Sequence, residues 1–315
     1  MARLTPSNGL MDETPVWTAR ELRRLGLTNE QVRAKVAGGE LVRLRRGVYR
    51  MPDDVPPEAL HRRLIAATAP VVDPTNVFSH TSAAILHGLP VPRNTLGVAT
   101  MLRRTPGHGN GETNLRVRNT KLAGDQVTEV EGHQVTTLVR TVCDQARLLP
   151  FEWGVATADA AMHRGVARAE LQAELARFPR LFGVAQARQV LSFADERAES
   201  PGESLTRVQM ARYGLPEPEL QFEVFDEEGE FVARCDFGWP EQGLVGEMDG
   251  EQKYGALLKP NEKPSHVIMR EKRREQRLRQ LGWWYISWGW LEANDGSKLN
   301  ALVRDGLRNA LLRSA

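Results

Sequence analysis

The sequence predicts a multidomain chain of mixed α+β and α/β structure, and three observations predict it. Its 315 residues exceed what one average hydrophobic core organises. The hydrophobic period changes along the chain. It is helical and then two-residue over the first fifty positions, and short and alternating over 95–136. It is helical again over 137–197, and helix, three strands, helix, strand from 199 onward. The Pro-rich run Pro52-Asp53-Asp54-Val55-Pro56-Pro57 reads as a linker. The expected division is therefore 1–57, 58–198 and 199–315.

Within the first segment, Thr18 is placed to cap a helix from Ala19 to Leu25 that stops at Gly26. Thr28 opens a second helix, with Gln31 three residues on as in a capping box, and this helix ends at Gly38-Gly39. The run Leu41–Arg50 alternates apolar and basic residues around Gly47, which predicts two short strands and a turn. Helix, turn, helix and basic hairpin make the outline of a winged helix-turn-helix. Residues 20–50 hold nine Arg/Lys against three Glu in a chain whose net charge is only +2. Duplex phosphates attract such a surface whatever the base sequence. Arg33, Lys35, Arg43, Arg45 and Arg46 are the candidate DNA contacts; a merely solvated Arg-rich face is the alternative.

The middle segment predicts a helix over 58–69, a strand end feeding a capped helix over Phe78–Gly88, a small sheet over 95–136, and helices over 138–148, 152–163, 168–178 and 184–198. His80, His87, His108, His133 and His163 are scattered and read as satisfied or solvated histidines rather than ligands. Cys143 and Cys235 are too few for a disulfide scaffold or a zinc site. No stretch approaches the roughly 20 apolar residues of a membrane span, and the first fifteen residues lack a signal-peptide core. The expected location is cytoplasmic, with no membrane partner.

From Ser200-Pro201-Gly202-Glu203 a capped helix runs to Tyr213 and ends at Gly214. Gln221–Asp226 and Phe231–Phe237 predict a hairpin around Glu227–Glu230, with Asp236 at the end of its return strand. In the third strand, Leu244–Asp249, the two-residue period puts Leu244, Gly246 and Met248 on one face and Val245, Glu247 and Asp249 on the other. A basic helix over about 267–281 and a strand over Trp283–Trp288 complete an αβββαβ order. Trp283, Trp284, Trp288 and Trp290 read as core rather than base-stacking residues. Carboxylates gathered on neighbouring strands repel, a cost that a cation relieves. Mg²⁺ or Mn²⁺ suits an all-oxygen site and acidifies water for attack on a phosphodiester. A solvated strand end is the structural alternative.

The strings Glu203-Ser204, Gly214-Leu215-Pro216, Cys235-Asp236-Phe237, Val245-Gly246-Glu247-Met248-Asp249-Gly250, Lys253-Tyr254 and Glu271-Lys272-Arg273-Arg274-Glu275 occur in this order, and Leu281-Gly282-Trp283 closes them. Over about 199–292 this resembles the very-short-patch-repair endonuclease domain of the PD-(D/E)XK superfamily. The resemblance implies a restriction-endonuclease-like fold and divalent-metal-dependent hydrolysis of DNA. It implies that Asp236 and Glu247 are metal ligands. It also implies a lysine two positions after the glutamate, where this chain has Asp249. Lys253 is then the candidate substitute and Asp249 a third ligand. Glu203 corresponds to the superfamily's helix-borne acid, or serves only as a helix cap. The helix beyond carries Arg270, Arg273, Arg274 and Arg277 at i, i+3, i+4, i+7 spacing, one basic stripe able to hold flanking phosphates.

The strings Trp17-Thr18-Ala19-Arg20-Glu21-Leu22 and Leu41–Tyr49, with Ser79-His80-Thr81-Ser82-Ala83-Ala84 and Leu86-His87-Gly88, resemble AbiEi-type antitoxins of type IV toxin–antitoxin systems. That resemblance implies DNA-binding transcriptional autoregulation and a cognate toxin as partner. The two resemblances lead to different expectations: a DNA endonuclease, or an antitoxin-like regulator with a catalytically inactive nuclease-like scaffold. A nuclease acting on RNA or on mismatched or modified DNA is a third.

Overall fold

The computed structural model describes residues 16–103, 113–250 and 264–314. It is mixed α and β throughout, and its internal contacts divide it into two compact units, Met1–Thr141 and Val142–Ala315.

The first unit opens with β1 (Val16–Thr18), α1 (Ala19–Arg24), α2 (Asn29–Ala37), β2 (Val42–Arg45) and β3 (Val48–Arg50). Both helices start at the anticipated caps, and both caps are capping boxes. Thr18 and Thr28 accept the N–H groups of Glu21 and Gln31, whose side chains return the bond to the cap N–H at 2.7 and 2.8 Å. β1 was not anticipated; it adds to β3 and completes a sheet ordered β1-β3-β2. Trp17, Leu22, Val32 and Leu41 form the local core. The β2–β3 register shifts between Arg43 and Arg45. A shift of this kind changes which face a strand residue takes.

The unit continues through α3 (Pro57–Thr68), β4 (Val77–Phe78), α4 (His80–Leu86), β5 (Ala99–Arg103), β6 (Leu115–Asn119), β7 (Val127–Val130) and β8 (His133–Thr136). The five strands form a mixed sheet ordered β6-β5-β4-β8-β7. Every residue of α4 is buried, so its polar groups need internal partners. His61 bonds the Leu96 carbonyl through Nδ1 (2.7 Å), which leaves Nε2 to accept from the Ser82 hydroxyl (2.9 Å). Ser82 Oγ in turn accepts the Thr100 N–H (2.8 Å).

α5 (Leu138–Leu148) carries the boundary between the units. The second unit then runs through α6 (Phe151–His163), α7 (Arg168–Ala176), α8 (Val184–Phe193), α9 (Pro201–Arg212), β9 (Glu219–Phe225), β10 (Phe231–Trp239), β11 (Leu244–Met248), α10 (Pro264–Gln280), β12 (Trp284–Trp288), α11 (Trp290–Asn294) and α12 (Gly296–Ser314). The last two helices had no counterpart in the sequence reading. The sheet order is β12-β11-β10-β9, antiparallel except for the parallel pair β11–β12, whose return is made through α10.

Both faces of this sheet are covered, which is why β11 is buried along its length. On one face Leu220, Phe237, Leu244, Met248, Ile286 and Trp288 pack with Met210 of α9 and Leu299 and Val303 of α12. On the other, Phe222, Cys235, Val245 and Tyr285 pack with Leu278 of α10. No helix among the described residues is long and apolar enough to cross a membrane.

Gly246, at the centre of the sheet, lies under the Trp288 indole: a Cβ there would sit 2.7 Å from two ring carbons. A rigid buried ring has no room to yield, so Gly246→Ala should destabilise the second unit by about 1–3 kcal/mol. Gly97→Ala, where a Cβ meets nothing within 4 Å, should stay within about 0.5 kcal/mol of wild type. Urea unfolding midpoints compare the two, and equal midpoints would contradict the tight contact.

Candidate functional site

The acidic residues singled out in the sequence lie on the start of α9, on β10, on β11 and just past it. Ser200 caps α9 by accepting the Glu203 N–H at 3.2 Å, with Pro201 in the first turn. The Glu203 carboxylate does not return the bond to the Ser200 N–H. One of its oxygens accepts the Glu199 N–H (3.0 Å) and the Gln221 side-chain amide (2.9 Å). Glu203 is only 4% exposed. Burial, and then the charge of Asp236, push its pKa up to about 7.

Asp236 was expected at a strand end and stands mid-strand, because β10 continues to Trp239. It lies at the rung where the sheet changes character. The β10–β9 pairs Cys235↔Phe222 and Phe237↔Leu220 bracket it. Opposite it, Gln221 has φ +54°, a left-handed conformation rare for a side-chain-bearing residue. Across this rung the side chains exchange faces. Phe222 and Cys235 pack with Leu278 of α10, whereas Leu220 and Phe237 pack with Met210 of α9. The β10–β11 ladder pairs Phe237↔Gly246 through Trp239↔Leu244 and ends before Asp236. The Asp236 carboxylate takes over there by accepting the Met248 N–H at 2.8 Å.

Glu247, on β11, is 3% exposed and already has a cation. Arg274 of α10 reaches both of its oxygens: Nη1 donates to Oε2 at 3.2 Å and Nη2 pairs with Oε1. The Tyr285 hydroxyl donates to Oε2 at 3.0 Å. Burial, with the charge of Asp249, raises the Tyr285 pKa above its ordinary value, which keeps the phenol protonated as a donor. Arg274 also bonds Glu271 (3.1 Å) and the Arg234 carbonyl (3.0 Å). Asp249, just past β11, is exposed, and its N–H continues the parallel ladder to the Trp288 carbonyl at 2.7 Å. Lys253 lies outside the described residues.

The structure thus sets Glu203 within reach of the Asp236 charge and sets Glu247 against Arg274. Among the described residues no group of three or more His, Cys, Asp or Glu is placed to hold a metal ion. Glu203 and Asp236 fit a hard divalent cation on chemistry. Their donor set is all oxygen, and the repulsion that helps raise the Glu203 pKa is the cost that such an ion removes. Glu247 does not fit while Arg274 holds both of its oxygens.

The basic candidates divide by environment. Arg33, Arg43 and Arg46 are exposed. Lys35 pairs with Glu40 at 2.6 Å. Arg45, beside the register shift, is buried and donates to the Ala67 carbonyl at 3.3 Å. On α10, Arg270 and Arg273 are exposed and Arg277 pairs with Asp226 at 3.1 Å. Arg274 leaves the expected stripe for the sheet. Of the histidines, His80 bonds Ser79, His87 the Thr136 carbonyl and His163 the Glu196 carbonyl, while His133 packs edge-on against Phe78. His108 lies outside the described residues. Tyr285 and Gln221 are site residues that sequence reading passed over: one sits in an aromatic run read as core, the other in an ordinary strand.

In metal-free buffer the folded chain should lose stability as pH rises toward neutrality. Glu203 has a folded pKa of about 7 against an ordinary 4.5, so the folded state binds the extra proton in that window. Asp159, raised to about 6 mainly by burial, acts in the same direction at lower pH. The cleaner comparison is therefore above pH 6. Between about pH 6 and 8, wild type should lose on the order of 1 kcal/mol relative to Glu203→Gln. Urea titrations at both pH values measure it, and parallel curves would contradict the assignment.

Comparison with known proteins yields no matching family model. The chain is similar to the uncharacterized protein MT2308 of Mycobacterium tuberculosis (strain CDC 1551 / Oshkosh) and to the uncharacterized protein Rv2248 of Mycobacterium tuberculosis (strain ATCC 25618 / H37Rv). Each is 32% identical over 264 residues, covering 82% of this chain and 88% of the relative.

Proposed function

The chain belongs to the family of these two mycobacterial proteins, and from its site geometry we propose that it is a DNA-binding protein with a divalent-metal-dependent endonuclease domain. The observation that carries this reading is that Asp236, at the broken rung of the sheet, acts on buried Glu203 through its charge and binds through its carboxylate the N–H of Met248, the residue after Glu247. A restriction-endonuclease-like reading of the αβββαβ segment and a winged-helix reading of residues 16–50 belong to the same proposal.

Asp236 and Glu203 would hold Mg²⁺ or Mn²⁺, with Glu247 joining once released and Asp249 at the exposed margin. A bound ion of this kind supplies an acidified, positioned water for attack on a phosphodiester. The chain's own groups do the rest. Gln221 orients Glu203 through its amide, the Met248 N–H fixes Asp236, and Tyr285 holds one oxygen of Glu247. Arg270 and Arg273 present guanidinium groups to flanking phosphates, and Arg43 and Arg46 do so on the hairpin of the first unit.

A second reading has an observation of its own. Glu247 is charge-balanced without metal, as expected of an antitoxin-like regulator that retains the nuclease-like segment as a scaffold and acts with a cognate toxin. The two readings part on turnover. With Mg²⁺ or Mn²⁺, wild type should cleave plasmid or branched DNA, and Asp236→Ala and Glu247→Ala should each lower the rate at least a hundredfold, the scale of losing a main electrostatic element. Cleavage surviving both substitutions sinks the site assignment; sequence-specific binding without cleavage favours the regulator. Under either reading, Arg43→Ala with Arg46→Ala should weaken DNA binding and reduce the logarithmic salt slope by roughly 2.

A further inference from the structure

The outer edge of the five-stranded sheet carries basic side chains of its own. β6 is the outer strand there, beside β5. Its burial alternates: Leu115 is buried and Val117 half-buried, whereas Arg116 and Arg118 are exposed. Side chains two residues apart lie on one face of a strand, roughly 6.6 Å from each other, so the two guanidinium groups share the solvent face. Among the described residues no carboxylate pairs with either of them. Lys121, just beyond the strand, is exposed as well, and every ionisable residue from Thr113 to Gly124 is basic. Charge on an outer strand discourages pairing with another chain. Either sign does that, whereas charge of one sign, here basic, also attracts a polyanion.

This edge is fixed to the hairpin of β2 and β3. Asn114, which precedes β6, donates its side-chain amide to the Leu44 carbonyl of β2 at 2.6 Å. The Leu44 side chain packs against the cluster that contains Met101 and Leu115 of the sheet. Arg45 donates to the Ala67 carbonyl near the end of α3. Hairpin and sheet lie within one compact unit. Exposed Arg43 and Arg46 stand within two residues of the bonded Leu44, and Arg116 stands two residues beyond Asn114.

We propose that β6 is a second phosphate-contact strip continuous with the hairpin, so that one DNA duplex lies on Arg43 and Arg46 and on Arg116 and Arg118 together. The inference rests on the DNA-binding reading above. A guanidinium fork suits a phosphate, and phosphate contacts position a protein on the duplex without reading its sequence. Because the hairpin is already bonded to the sheet, the second set of contacts forms without ordering a new segment. Two seats held at a fixed spacing also set the direction in which the duplex leaves the hairpin.

Fluorescence anisotropy with the full chain and a labelled DNA duplex, titrated at several salt concentrations, tests this. The four side chains are exposed, so every variant should keep the wild-type unfolding midpoint. Arg116→Ala with Arg118→Ala should weaken binding severalfold and lower the logarithmic salt slope by roughly 2; adding Arg43→Ala and Arg46→Ala should lower it by roughly 4. Arg116→Lys with Arg118→Lys should keep most of the slope, because the charge remains. In a hydroxyl-radical footprint, the Arg116→Ala, Arg118→Ala variant should lose protected positions at the margin and keep those that depend on Arg43 and Arg46. A slope and footprint indifferent to Arg116 and Arg118 but sensitive to Arg43 and Arg46 overturn the strip and leave the hairpin contact standing. The same result is expected if β6 instead serves an anionic lipid or an acidic protein. Slope lost with Arg116 and Arg118 but not with Arg43 and Arg46 overturns the shared duplex. Absence of duplex binding by wild type at low salt overturns the DNA-binding reading and the strip with it.

Discussion

A carboxylate shut away from water needs a proton, a matching cation or a ring of donors, and the C-terminal sheet meets that demand in two different ways. Glu247 is matched by the Arg274 guanidinium and the Tyr285 hydroxyl. Glu203, at the start of α9 against the sheet, is served by the Glu199 N–H and the Gln221 amide, and burial pushes its pKa up to about 7. The Trp288–Gly246 contact, the Met248–Gly202 contact and the tilted Phe237–Trp288 ring pair all lie against a strand that carries a buried acid.

The rung between Gln221 and Asp236 is what sets Glu203 within reach of the Asp236 charge. A regular antiparallel ladder would keep like-numbered side chains on one face throughout. Here the left-handed backbone at Gln221 lets Phe222 and Leu220 pack on opposite faces, and it directs the intervening amide to Glu203. Such a conformation costs on the order of 1–3 kcal/mol and persists only when its surroundings over-determine it. The two apolar clusters on either side of the sheet supply that determination. The ladder's end at Asp236 then gives a carboxylate the hydrogen bond that a backbone carbonyl would otherwise make.

Much of this was legible in the residues. The Thr18, Thr28 and Ser200 starts, the parity of Leu244–Met248 and the order helix, three strands, helix, strand follow from local rules, and local rules act within a few positions. What was not legible depends on tertiary neighbours. Arg45 turns inward beside a shift in register that no alternation pattern announces, and its guanidinium meets a carbonyl 22 residues away. Arg274 shares helical spacing with Arg270, Arg273 and Arg277, yet a stripe of that width spans more than one environment, and only the sheet decides which member faces Glu247. Asp236 was expected near a strand end because the return strand was read as stopping at Phe237, but the strand runs on to Trp239, and Phe237 and Trp239 fill the core. The helices α11 and α12 left no expectation at all, although Leu299 and Val303 turn out to seal one face of the sheet.

The central claim is that Glu203 and Asp236 form the seat of a divalent cation. Crystals of the full chain soaked in Mn²⁺, with anomalous difference maps, address it directly. The account predicts a strong anomalous peak within ligating distance of carboxylate oxygens from both residues. A map with no peak there at saturating Mn²⁺ would contradict it.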